Sequence, residues 1–348
     1  MKHTQTSTPE AGRSRLVWVD FLRVVGALLV VTVHSQVWGS GAPLAKTFYH
    51  TLARISVPIF FMLSGYLLLP KQESWQVFLS KRATKILIPF FVWSIVYDVF
   101  INGAYGETGV TPAASYDMFL LILYSPRGGH FWYLFALIGL YFFIPILRLF
   151  VARAQTSDIL YFIGVWLFVV PVLYIVEAFT DVRIRFEMQF AAGYVGYLLI
   201  GLLLGRMELT PRRLRIFTGL FIASFLFCLA VFYYEYPPDN ELPFRSHNSL
   251  NVILLSVAAF PLLRKIGENV PSRLHRALYR FSDASFGIYL IHPLVMYGME
   301  LIWKSLGYKI AFGPSAIVIP VVTVIAFLLS FAITHTLRRI PVLKHTVS

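Results

Sequence analysis

Ten runs of about 20 largely apolar residues, spread along the whole chain, constrain its fold more than any other feature. Wound as a helix, such a run matches the thickness of a bilayer's hydrocarbon core. Only helices and closed barrels satisfy their backbone polar groups there. The runs lie near 17–38, 52–70, 86–102, 130–147, 158–178, 189–205, 214–234, 247–263, 282–303 and 314–337, and predict an all-α, polytopic transmembrane bundle. Composition agrees. Of 348 residues, 57% are hydrophobic and 14% charged, against about 45–50% and 25% in soluble domains. The expected division is a tail over 1–16, a transmembrane domain over 17–337 and a second tail over 338–348. No small-residue cleavage site follows the first run, which therefore reads as a retained helix and not as a signal peptide.

The net charge of +13 is unevenly placed. Alternate loops and the two tails hold 21 of the 30 Lys and Arg, the opposite loops hold eight, and Arg23 lies inside the first run. By the positive-inside rule this predicts that both termini are cytoplasmic. The basic excess is a topology signal, with attraction to anionic membrane lipid secondary, so no nucleic-acid partner is expected. Cys228 is alone and lies in an apolar run, which offers neither a disulfide nor a thiol metal site. No repeat or low-complexity tract is visible. Residues 103–129 form the largest outward loop, and "SYDMFLLILY" at 115–124 predicts an interfacial or re-entrant helix. The outward loop over 234–247, rich in Pro and acid, reads as irregular.

The first run, "WVDFLRVVGALLVVTVHSQVW", carries Asp20, Arg23 and His34. Ionisable groups are costly in hydrocarbon and mark pathways or reactive sites. Trp18 and Trp38 lie 20 residues apart, about 30 Å of helix, and suit an aromatic belt at each interface. At about 100° per residue, Arg23 and His34 differ by only about 20°, and Asp20 falls about 40° from His34. The three share one stripe, which predicts that they face the bundle interior along a path between the two sides. A helix-start carboxylate paired with Arg23 is the plainer reading of Asp20. His34 is the best general-base candidate, because its reference pKa lies near working pH.

Further polar groups gather at the outer end: His130, Asp98 and Glu177, any of which would orient or charge-balance His34. His292, in "FGIYLIHPLV", falls near mid-membrane. On the cytoplasmic side "FLSKRATKILIPFF" places Lys81, Arg82 and Lys85 within about one turn, as ordinary anchoring charges or as a clamp for an anionic ligand. The histidines are scattered over several runs, so no metal site is expected. Ser64-Gly65 reads as a close helix contact, since no base lies near Ser64 in the sequence.

Four of these stretches resemble the acyltransferase-3 family of bacterial inner-membrane proteins. They are Arg15-Leu-Val-Trp-Val-Asp20-Phe-Leu-Arg23 followed by His34, "VPIFFMLSGYLL" (57–68), "HFWYLFALIGLYFFIPIL" (130–147) and "SFGIYLIHPLV" (285–295). They occur in the family's order and cover nearly the whole chain. The short form, without an appended hydrolase-like domain, is most similar to the enterobacterial common antigen O-acetyltransferase and related polysaccharide acetyltransferases. The resemblance implies an acyl group, acetyl in the simplest case, carried from cytosolic acyl-CoA to a hydroxyl of a surface polysaccharide or lipid-linked sugar. It implies acetyl-CoA as co-substrate and no permanently bound cofactor.

The same resemblance implies a catalytic His34 and acyl-CoA contacts from Arg15, Arg23 and the Arg82/Lys85 pair. The residues themselves add Lys81 to the donor clamp and set Asp20, Arg23, His130, Asp98 and His292 in support of His34. Direct transfer and a transient acyl-histidine both remain open. In one departure, the family's Arg-x-x-Arg is here Arg82-Ala-Thr-Lys85, which gives up one bidentate fork. The competing class is a transporter or flippase for a polar solute or lipid-linked sugar. That class would bring inverted repeats, and none is seen in the sequence.

Overall fold

The computed structural model describes residues 15–102, 122–123, 128–182, 193–234 and 244–347. The tail before residue 15, nearly all of the expected interfacial helix over 115–124 and most of the irregular loop over 234–247 lie outside the described residues. Among the described residues, nine helical segments are long and apolar enough to cross a membrane by length and composition.

The first is α1 (Val17–His34), continued by a tighter turn to Trp38. Next, α2 (Pro43–Ala53) and α3 (Ser56–Leu68) run as one crossing, as do α4 (Trp75–Arg82) and α5 (Ile88–Tyr97). α6 (Trp132–Arg153) follows, then α7 (Thr156–Leu167) with α8 (Leu173–Phe179). The expected run over 189–205 is helical as α9 (Val195–Arg206), whose 12 residues are too few to be counted among the nine. The chain closes with α10 (Pro211–Tyr234), α11 (Leu250–Glu268), α12 (Ser272–Ser305) and α13 (Ser315–Leu337).

Several helices start earlier than hydropathy places them. α12 begins at Ser272 where the apolar run begins near 282, and its first turns are the basic "SRLHRALYRF". At 34 residues it is about 51 Å long, more than a bilayer core requires. Prolines explain two of the three breaks within crossings, those between α4 and α5 and between α7 and α8. Pro89 has no N–H for the carbonyl of Lys85, and the chain widens into a π-turn over Ala83–Leu87. Pro171 sits in a second π-turn, Phe168–Val172.

Close approach sets the centre of the bundle. A Cβ on Gly65 of α3 would lie 1.9 Å from the Leu198 carbonyl oxygen, and one on Gly201 of α9 would lie 2.0 Å from that of Met62. Small residues on both helices let the backbones touch, the packing device of membrane helices. Ser64 donates to the Phe60 carbonyl at 2.8 Å, as a packed helix serine does. α1 lies against α3, α11, α12 and α13. Its far end is tied by a two-residue parallel pairing of β1 (Gly39–Ser40) with β2 (Gly313–Pro314). Thr323 of α13 also donates to the Ser35 hydroxyl at 3.1 Å.

The tryptophan belt expected on α1 is not found. Trp18 is buried against Tyr66, at a ring separation of 4.9 Å, and Trp38 is buried against Phe312, at 6.4 Å. Both indoles are core contacts, because neighbouring helices surround α1.

Candidate active site

The end of α1 brings His34 to two other histidines. Its ring centroid lies 5.0 Å from that of His292 and 6.2 Å from that of His130, which are themselves 5.4 Å apart. Scattered along the sequence, the three converge in space. This overturns the premise on which a metal was set aside, although among the described residues no group of three His, Cys, Asp or Glu side chains is arranged to hold one.

His292 owes its orientation to the residue after it. Pro293 lies inside α12 and cannot donate to the Tyr289 carbonyl. His292 Nδ1 takes its place, donating to that oxygen at 2.8 Å and lying 3.1 Å from the Ile288 oxygen. In the neutral ring Nε2 then carries the lone pair, and it is buried without a hydrogen-bond partner among the described residues. His130 Nε2 is also buried and unpartnered. Tyr289 donates to the His130 carbonyl at 2.7 Å, fastening α12 to the turn before α6. Neither nitrogen of half-buried His34 has a hydrogen-bond partner among the described residues.

A cavity of about 380 Å³ approaches this group from the basic end of the bundle. Four cations line its mouth, Arg23, Arg82, Lys85 and Arg338, against one carboxylate, Asp283. The inner wall includes Tyr133 and Tyr289, and the Tyr289 ring lies 5.2 Å from that of His130. Arg82 Nε is buried and has no hydrogen-bond partner among the described residues. From Arg23 to His34, α1 rises about 16 Å, so cations and histidines stand at opposite ends of one path.

Residues 16–335 match a family described as an acyltransferase domain. The chain belongs to this acyltransferase family. No curated protein and no solved structure matches it. The protein is thus a multi-pass membrane acyltransferase, and the family assignment favours an enzyme over a transporter.

Other expected site residues of the acyltransferase are placed differently. Asp20 is 2% exposed and takes both Arg15 Nε at 2.7 Å and Nη2 at 3.0 Å. It also accepts from the Ser282 hydroxyl, while Arg23 stands off at 3.8 Å. The i,i+3 pairing with Arg23 is therefore secondary. Arg15 further binds Asp283 at 2.7 Å and stacks on Tyr279 at 4.2 Å, and hydrogen bonding to Asp20 raises its pKa above the ordinary value. Arg15 does not line the cavity, and neither does Lys81, which pairs with Glu73 at 2.9 Å. That contact, joined by Arg148 at 3.2 Å, holds the Glu73 carboxyl below the usual glutamate value. Asp98 is buried just after α5, and Glu177 lies in α8.

Sequence reasoning missed Tyr133, Tyr289, Ser282 and Arg338. Arg338 counted only as a topology charge, and the tyrosines fell inside apolar runs where nothing set them apart from packing residues.

Proposed function

We propose that this acyltransferase takes an acyl group, acetyl in the simplest case, from cytosolic acyl-CoA and places it on a hydroxyl of a surface polysaccharide or lipid-linked sugar, in a bacterial inner membrane. The observation that carries the reading is the cavity with four cations at its mouth and the histidines beyond its inner wall. CoA phosphates suit the mouth, where Arg23, Arg82 and Arg338 offer planar forks and Lys85 a point charge. The cavity lies within the usual range for small-molecule sites and suits the slender thioester arm more than the nucleotide.

His34 acts as general base. It removes the proton of the acceptor hydroxyl as that oxygen attacks the thioester carbonyl carbon. The carbon–sulfur bond then breaks, the ester stays on the sugar, and the CoA thiolate leaves and takes up a proton. His292 and His130 flank the base, with ring centroids 5.0 and 6.2 Å from its own. Asp20 and Arg15 brace the start of α1, so that Arg23 faces the donor. No permanently bound cofactor enters the scheme, and CoA is the departing co-substrate.

The test is transfer of label from acetyl-CoA to extracted cell-surface glycans by the full chain in lipid nanodiscs. Label should appear on glycan only with the protein present. Absence of label under saturating acetyl-CoA, with several surface glycans offered, would refute the reading.

A further inference from the structure

A second set of rings and ionisable groups gathers at the His34 end of the bundle, outside the cavity and unused by the transfer chemistry. It joins five separate elements: His50 and Arg54 from α2 and the residue after it, Trp132 from α6, Tyr194 before α9, Phe232 from α10, and His247 before α11. Arg54 Nε donates to His50 Nε2 at 3.0 Å, and the guanidinium lies 5.8 Å from the Phe232 ring. His247 and Trp132 lie 5.1 Å apart at 35°, and Trp132 and Tyr194 lie 5.9 Å apart at 36°. α10, which carries Phe232, packs along α11, which His247 precedes, so the two halves are neighbours.

Ordinary packing does not account for the set. Apart from Phe232, these side chains are only partly buried. An aromatic belt turns its rings to lipid, whereas here tilted rings face one another across helices with a guanidinium and two imidazoles among them. Such polar groups would be costly against acyl chains. Next to His247 in the chain, Asn248 Oδ1 is buried with no hydrogen-bond partner among the described residues. Flat rings for C–H faces, bordered by planar polar groups for hydroxyls, are what a pyranose requires.

We propose that this cluster is the acceptor subsite, a platform that binds a pyranose ring on the outer side, with Trp132 and His247 as its stacking pair. The inference rests on the acyl-transfer reading and adds where the sugar is held. Trp132 follows His130 by two residues, so a sugar on the platform sits within about one helical turn of the histidine group.

The probe is a panel of methyl pyranosides, gluco, galacto and N-acetylglucosamine, offered to the full chain in nanodiscs and read by saturation-transfer NMR. At least one should give a signal concentrated on the C–H protons of one sugar face. Trp132→Leu and His247→Gln should each weaken that binding about tenfold, the scale of losing one well-packed contact. Trp132→Phe, which keeps a ring, should restore most of it and guards against a merely misfolded Leu variant. Acetyl-CoA binding by calorimetry should be equal in all four proteins. Equal sugar signals in the Leu and Gln variants, or no signal in the unaltered protein, would overturn the platform. Failure of acetyl-CoA to bind the unaltered protein, with the sugar results as expected, would instead overturn the donor half of the acyl-transfer reading.

Discussion

Replacing His34 by Gln should separate chemistry from stability, and the two magnitudes follow from its surroundings. His34 is half-buried, and among the described residues no group depends on its ring for a hydrogen bond. Gln keeps similar bulk and leaves no orphaned partner, so the stability change should stay within about 1 kcal/mol. Loss of a general base costs about 10²- to 10⁴-fold in rate, or about 2.7–5.5 kcal/mol of barrier at 1.36 kcal/mol per factor of ten. His292 makes the contrast. It is 0% exposed and its Nδ1 satisfies the Tyr289 carbonyl that Pro293 leaves open. His292→Ala should therefore cost about 1–3 kcal/mol for the orphaned carbonyl, with a cavity cost added. The assay is label transfer from saturating acetyl-CoA in nanodiscs, with melting temperature measured on the same samples. A His34→Gln protein that transfers within about threefold of the unaltered rate would remove His34 from the mechanism.

Arg82→Ala and Lys85→Ala should weaken acetyl-CoA binding without changing acceptor affinity, and the loss should shrink as salt rises, because exposed charges are screened. Unchanged calorimetric binding in both would reduce the cluster to a topology signal. Gly65→Ala and Gly201→Ala each push a Cβ to within 2.0 Å of a carbonyl oxygen and should sharply lower the yield of monodisperse protein, whereas Gly219→Ala, with open space around it, should not. Equal yields would mean that α3 and α9 do not pack at this distance. In a Cys228→Ser background, Lys309→Cys should react with a membrane-impermeant thiol reagent on intact cells and Ser272→Cys should not. The reverse pattern would invert the sidedness and place His34 beside the cytosol.

Where the chain crosses the membrane is written locally. Length and hydropathy of each run decide insertion, so the all-α bundle was legible residue by residue, and so was the stripe of Asp20, Arg23 and His34, since a helix repeats every 3.6 residues whatever surrounds it. The cation cluster at 82–85 was equally plain. Hydropathy gave helix starts poorly at α2, α4 and α12, because a polar turn keeps its backbone bonds in water as well as in lipid and leaves no apolar mark.

Tertiary structure alone decided which faces meet. The approach of α3 to α9 through Gly65 and Gly201, and the tie between the ends of α1 and α13, set rotations and depths that no single helix encodes. Those rotations bring His130 and His292 to His34, add Arg338 to the mouth, line the inner cavity with Tyr133 and Tyr289, and give Asp20 to Arg15 and Ser282 in preference to its neighbour Arg23. Helical period fixes direction about one axis; the distance between side chains on different axes exists only once the axes have packed.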